Sequence, residues 1–270
     1  MPIDRSLGRN VHFYDASKPG VALGGLIQNG SVTETNFLNM IEILLITEAP
    51  LRVQETTSGH VVATTNNPLQ PGEYDVYCDS RIELSDEPWV HRLITHSVSG
   101  REDAFRHYSI SGVVLKRLIS FLLRVKVGGM NNYGKWVRDV TPGVTKINSH
   151  QNGFLLQASI HSDFDNYLVS VNPNDNYRIV VFSFDVFGID GRTLDSVCRD
   201  PANPHRVSDQ LLRWHFCQSV LANMRGAGEP IFEHDFTGED MIGAISQEPY
   251  GRERLEMEVA ARLRGFEAVL

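Results

Sequence analysis

The sequence predicts an α+β protein on three observations: a capped amphipathic stretch over 34–47, β-rich runs separated by Gly, Asn and Pro turns on either side of it, and a second capped helical pattern opening at Ser208. With 270 residues, 41% of them hydrophobic, the chain can bury a core of one large domain or two modest ones. No internal repeat is present.

Residues 1–32 mix Gly, Asn and Ser with short apolar runs such as 11–14, which reads as short strands and turns. Thr33-Glu34-Thr35 supplies capping groups, and Phe37, Met40, Ile41, Leu44 and Leu45 follow three and four apart, the spacing of one helical face. That face needs a partner. The runs 52–56 and 60–65 flank Ser58-Gly59, a hairpin signal, and 72–78 reads as a further strand, so the first ninety residues form an α+β unit.

The polar tract 80–100, with Pro88 and Gly100, marks the best boundary, and a second unit begins near Arg101. Within it, 168–171 and 178–182 bracket Asn172-Pro173-Asn174-Asp175-Asn176, two β-rich runs around a turn, which predicts a hairpin. Ser208-Asp209 caps Leu211, Leu212, Phe216, Val220 and Leu221 at helical spacing, and Gly226 and Gly228 stop that helix. Leu255, Val259 and Leu263 predict another helix over 250–265, with Arg252, Glu253, Glu256 and Arg264 on its solvated side. The expected division is an α+β module over 1–95, a nuclease-like unit over 96–190 and a helical region over 191–270.

Composition excludes several classes. The net charge of -8 argues against a general polyanion binder, although 101–146 holds nine Lys and Arg against Glu102, Asp103 and Asp139. The apolar stretches 41–46 and 113–127 are too short for a bilayer, the second being broken by Lys116, Arg117, Arg124 and Lys126. No apolar run follows the opening MPIDRSLGRN, and Cys78, Cys198 and Cys217 are too far apart for a zinc knuckle or a disulfide framework. An intracellular protein of a reducing compartment is expected, nuclear or cytoplasmic, without membrane or small-molecule cofactor.

The chemistry is concentrated in 147–171. Asn152-Gly153 and His161 frame a short apolar run, followed by Phe164-Asp165. An Asn and a His nine apart arise by chance in a chain with ten histidines, and alone His161 reads as a polar residue opening a helix. The longer string N-G-x-L-L-x-x-x-x-H-x-x-F-D, running into N-Y-L-x-S-V-N-P-x-D-x-Y, resembles a fungal family of proteins with an HNH endonuclease domain. The resemblance extends to N-V-H-F-Y-D from Asn10, G-L-I-Q-N-G from Gly25, P-L-Q-P-G-E-Y-D-V-Y from Pro68, and L-L-R-W-H-F with A-N-M-R-G-A-G-E-P-I-F-E-H-D-F over 211–236.

That resemblance implies a ββα-metal core acting on DNA phosphodiester bonds with one divalent ion, Mg, Mn or Zn. His161 would be the last histidine of HNH, a metal ligand at the start of the helix. Asn152 would be the central Asn, anchoring the hairpin and orienting the general base. Asp165 is expected as a cap or supporting hydrogen bonder, and Asp163 points elsewhere because helical residues two apart do not share a face.

The first histidine of the family, in a small residue then H-I-F-P-L, should fall between Gly112 and Trp136, yet no histidine lies between His107 and His150. Tyr108 also stands where the family has a Cys before Ile110-Ser111-Gly112. Codons can be chosen for 117–128 that in a shifted frame encode S-H-I-F-P-L-A-S-E-G, so the expectation is a frameshift or mis-called intron, with the family register resuming near Asn131, the alternative being genuine divergence. Lys116, Arg117, Arg124 and Lys126 then carry no information about phosphate binding, while Arg101, Arg106, Lys135, Arg138 and Lys146 could track a nucleic-acid backbone, a solvated surface being the main expectation for most of them. His150 could be put forward as a substitute base, but it lies two residues before Asn152 and not on the first hairpin arm, whereas His205, His215 and His234 read as structural or interfacial. The glycines of N-M-R-G-A-G-E-P end a helix and do not form a phosphate loop. The expected function is an HNH-type metal-dependent endonuclease impaired by loss of its base; the alternative is a non-catalytic pseudoenzyme binding nucleic acid or protein.

Overall fold

The computed structural model describes residues 6, 8–87, 117–118 and 150–226. The helix expected at 250–265, His234, Tyr108 and most of 101–149 lie outside the described residues. The architecture is α+β.

The amino-terminal part is built on four strands, β1 (Val11–Asp15), β2 (Ala22–Leu26), β4 (Leu51–Glu55) and β5 (Gly72–Cys78), in the order β2-β1-β5-β4. β1 runs antiparallel to β2 and parallel to β5, and β4 closes the other edge antiparallel to β5. Strand alternation sends Val11 and Phe13 into the core together with Val53, Tyr74 and Val76. The predicted hairpin at Ser58-Gly59 forms its turn, Gly59 taking φ +73° and its N–H donating to Glu55, but the expected arm over 60–65 is reduced to an isolated bridge between Gln54 and Val61.

Helix α1 (Glu34–Leu44) lies on this sheet. Thr33 caps it, its hydroxyl accepting from the Asn36 N–H at 3.2 Å. Phe37, Met40, Ile41 and Leu44 are buried, with the Phe37 ring 5.9 Å from Phe13 and 5.3 Å from Tyr74. The helix stops three residues before the expected end, because Leu45 and Ile46 (β3, Leu45–Ile46) pair instead with β6 (Glu83–Leu84).

The second part carries β7 (Arg117–Leu118), β8 (Leu155–Leu156), α2 (Ala158–Asp165), the hairpin β9 (Val169–Asn172) and β10 (Arg178–Val181), and helices α3 (Ser196–Arg199) and α4 (Asp209–Met224). The β9–β10 hairpin sits where the two β-rich runs predict it. Its core comprises Phe154, Phe164, Val169, Val171, Val181, Leu194, Leu211 and Leu212.

Helix α4 joins the two cores. Leu211 and Leu212 pack into the second, while Phe216, Val220, Leu221 and Met224 pack into the first. Its end approaches β2 so closely that a Cβ on Gly24 would lie 2.1 Å from the Met224 carbonyl oxygen. Arg9 reinforces the junction, donating to the carbonyls of Gly226 at 2.5 Å and of Asn223. Arg225 reaches the carbonyls of Ser85 and Glu87 at 3.0 and 2.8 Å, tying down the described start of the 80–100 tract. The helix assigned from sequence to a separate carboxy-terminal region is thus a wall shared by both halves.

Candidate active site

The site is assembled from a strand pair and the helix that follows it. β7 and β8 run antiparallel, Arg117 opposite Leu156 and Leu118 opposite Leu155, and α2 begins two residues after β8. Among the described residues the order is β7, the turn at 150–152, β8 and α2.

Asn152 lies in a 3-10 turn, His150–Asn152, three residues ahead of β8, and is fully buried. A fully buried amide stays there only when its polar atoms are hydrogen-bonded, which suits an anchoring role for the turn entering β8. The resemblance implies an Asn that anchors the hairpin, and Asn152 sits in the turn just before β8.

His161 is the fourth residue of α2, one turn in from the expected helix start. Its Nδ1 lies 3.1 Å from Asp165 Oδ2, an i,i+4 pair across one helical turn, with the two side chains 21% and 16% exposed. In the neutral ring this contact requires the proton on Nδ1, which donates to the carboxylate and leaves the ring lone pair on Nε2. Carboxylate-backed imidazoles of this kind are stronger metal ligands, and their ring plane is fixed. Asp163, two residues earlier, makes no such pair; burial pushes its carboxyl above the usual range.

The underside of α2 is held by a residue that the sequence marked only as structural. His215 on α4 is fully buried, stacks on Phe164 at 3.8 Å with the rings 5° apart, and lies 3.0 Å from the Phe164 carbonyl through Nε2. A carbonyl only accepts, so Nε2 carries the proton, and Nδ1 accepts from the Ser170 hydroxyl at 2.7 Å. Phe154 meets the edge of Phe164 at 5.3 Å. Tyr167 takes φ +61° to turn the chain from α2 into β9, and its carbonyl accepts from Asn223 at 2.9 Å. The signal that finds His215 is a histidine among buried apolar positions; its Ser170 partner lies 45 residues away and leaves no local trace.

Among the described residues no three His, Cys, Asp or Glu side chains converge as a metal cluster. His161 with Asp165 fits one ligand position and its support; the described residues do not complete a donor set. Residues 150–226 carry six Arg against eight Asp, with no Lys or Glu, so this part offers no excess positive charge for a phosphate backbone. His150 does not stand alone as a substitute base, since its ring lies 5.4 Å from that of His205.

Residues 130–172 match the HNH endonuclease family model, which supports an HNH-type domain in this part of the chain. The match takes in Asn152, His161 and Asp165. Residues 8–83 match a domain of unknown function (DUF8573), spanning the four-stranded sheet and α1. No curated protein and no solved structure matches the chain. Among the described residues no helix is long and apolar enough to cross a membrane.

Proposed function

We propose that the chain is a nuclease-like HNH protein directed at DNA phosphodiester bonds, with one divalent ion held at His161, and that it is catalytically impaired in its present sequence. The observation that carries this reading is the His161–Asp165 pair on the helix after β8, within the segment that matches the HNH endonuclease model. His161 offers a ligating nitrogen at Nε2, Asp165 holds the ring, and Asn152 anchors the turn leading to the strand pair. A divalent ion bound there, Mg, Mn or Zn, would polarise the phosphate and stabilise the departing oxyanion. The impairment follows from the first strand: β7 presents Arg117-Leu118 opposite β8, and no histidine lies between His107 and His150 to take a proton from water.

The same observation supports a second reading, a non-catalytic protein that keeps the scaffold to bind nucleic acid or another protein. Melting the full chain with and without Mn²⁺, alongside plasmid nicking, separates the two. The first reading expects an upward shift with Mn²⁺ that His161→Ala abolishes, because a ligand that binds only the folded state stabilises it. No shift in either protein favours the interaction protein.

A further inference from the structure

We infer that the apolar tip built from Phe184, Val186 and Phe187 is a docking surface for this chain's own carboxy-terminal segment, through the face that carries Leu255, Val259 and Leu263. The three tip residues are 64%, 78% and 39% exposed. Val21, Val61 and Tyr77 are exposed too, but far apart in sequence; single exposed hydrophobics are ordinary, whereas three within 184–187 form a patch of the kind that marks an interaction surface. The tip is preformed. The Asp185 carboxylate accepts from the N–H groups of Phe187, Ile189 and Asp190 at 3.2, 3.1 and 2.8 Å, and the Asn29 side chain donates to the carbonyls of Val181 and Ser183 at 2.9 and 2.8 Å. A surface held in this way loses little freedom when it is covered.

The occupant follows from where the chain leaves α4. Gly226, the last described residue, donates its N–H to the Leu23 carbonyl at 2.9 Å, and its carbonyl accepts from Arg9. Gly8, the residue before Arg9, lies so close to the Phe184 ring that a Cβ there would stand 2.6 Å from it. The chain therefore departs beside the tip. An extended chain covers about 3.3–3.6 Å per residue, so 227–254 can return Leu255 to the patch with length to spare. Leu255, Val259 and Leu263 recur at helical spacing, and an amphipathic helix draws most of its stability from packing that face. A second copy suits the tip less well, because a stable dimer takes about 800 Å² from each partner and three side chains fall short of that. A tethered segment needs no such area, since its effective concentration is on the order of millimolar.

The test is photo-crosslinking of the full chain from benzoylphenylalanine in place of Val186, with the products mapped by peptide mass spectrometry. Docking predicts products within one chain that join position 186 to 250–265, persist on dilution and disappear in Val259→Asp. Hydrogen exchange supplies the reciprocal measurement: Val186→Asp should speed exchange of the 255–263 amides about tenfold or more, the factor expected when one buried aliphatic contact is lost. Val186 is the most exposed of the tip residues, so the described fold does not rest on it and the variant should melt as wild type does. Products that join two chains or miss 250–265, or exchange over 255–263 unchanged by Val186→Asp, overturn the proposal.

Discussion

His215 binds α2 to α4 through one imidazole, its Nε2 3.0 Å from the Phe164 carbonyl and its Nδ1 2.7 Å from the Ser170 hydroxyl, with the ring flat against that of Phe164. Replacing it by Ala removes both partners and leaves a cavity beside Phe164. An unsatisfied buried polar group costs about 1–3 kcal/mol, so His215→Ala should lose on the order of 3 kcal/mol or more in urea unfolding. A loss below about 1 kcal/mol would show that the ring is not what holds α2.

Gly24 allows no side chain, because its Cβ would stand 2.1 Å from the Met224 carbonyl and 2.6 Å from the Phe13 ring. The obstructing atom is backbone, so the α4 end must move. Gly24→Ala should cost at least about 1–3 kcal/mol, the usual range for overpacking, and lower the melting temperature. Wild-type stability in this variant would contradict the close junction of β2 and α4.

Acid sensitivity should trace in part to Asp209. Burial pushes its carboxyl up, but donation from Arg206 and Tyr177 and the charge of Arg206 outweigh this and leave it below its usual value. A depressed folded-state value means that the stabilisation is present above the unfolded value of about 3.9 and is lost as pH falls through the folded one. Urea unfolding between pH 5 and pH 3 should therefore be less steeply pH-dependent in Asp209→Asn than in wild type. Parallel curves would remove Asp209 from the account.

Much of the fold was legible because local signals agreed with it: Thr33 caps α1, and Asn172 to Asn176 turn β9 into β10. What was not legible is set by distant partners. The early end of α1 depends on Leu84 meeting Leu45, and the apolar spacing of α4 predicts a helix without revealing that opposite ends enter different cores. The motif named Asn152, His161 and Asp165, but only the folded chain brings the His161 ring onto Asp165. The His150–His205 meeting joins residues far apart in sequence and had no sequence signal.

Asp165 should matter through His161. Asp165→Ala leaves the nitrogen proposed as ligand but releases the ring, and loss of such a supporting carboxylate typically lowers metal affinity about 10–100-fold. Mn²⁺ titration followed by thermal melting should show the midpoint moving up by that factor, with His161→Ala showing no response. An unchanged midpoint in Asp165→Ala would assign the pair to structure alone.

The central proposal is that loss of the first-strand base impairs this HNH-type site. It is tested most directly by placing S-H-I-F-P-L-A-S-E-G in the 117–128 segment and assaying plasmid nicking with Mn²⁺. The restored protein should cleave about 10²–10⁴-fold faster than the present chain, the usual contribution of a general base, and His161→Ala in that background should abolish the gain. Equal rates with and without the restored segment, or cleavage indifferent to His161, would contradict the account.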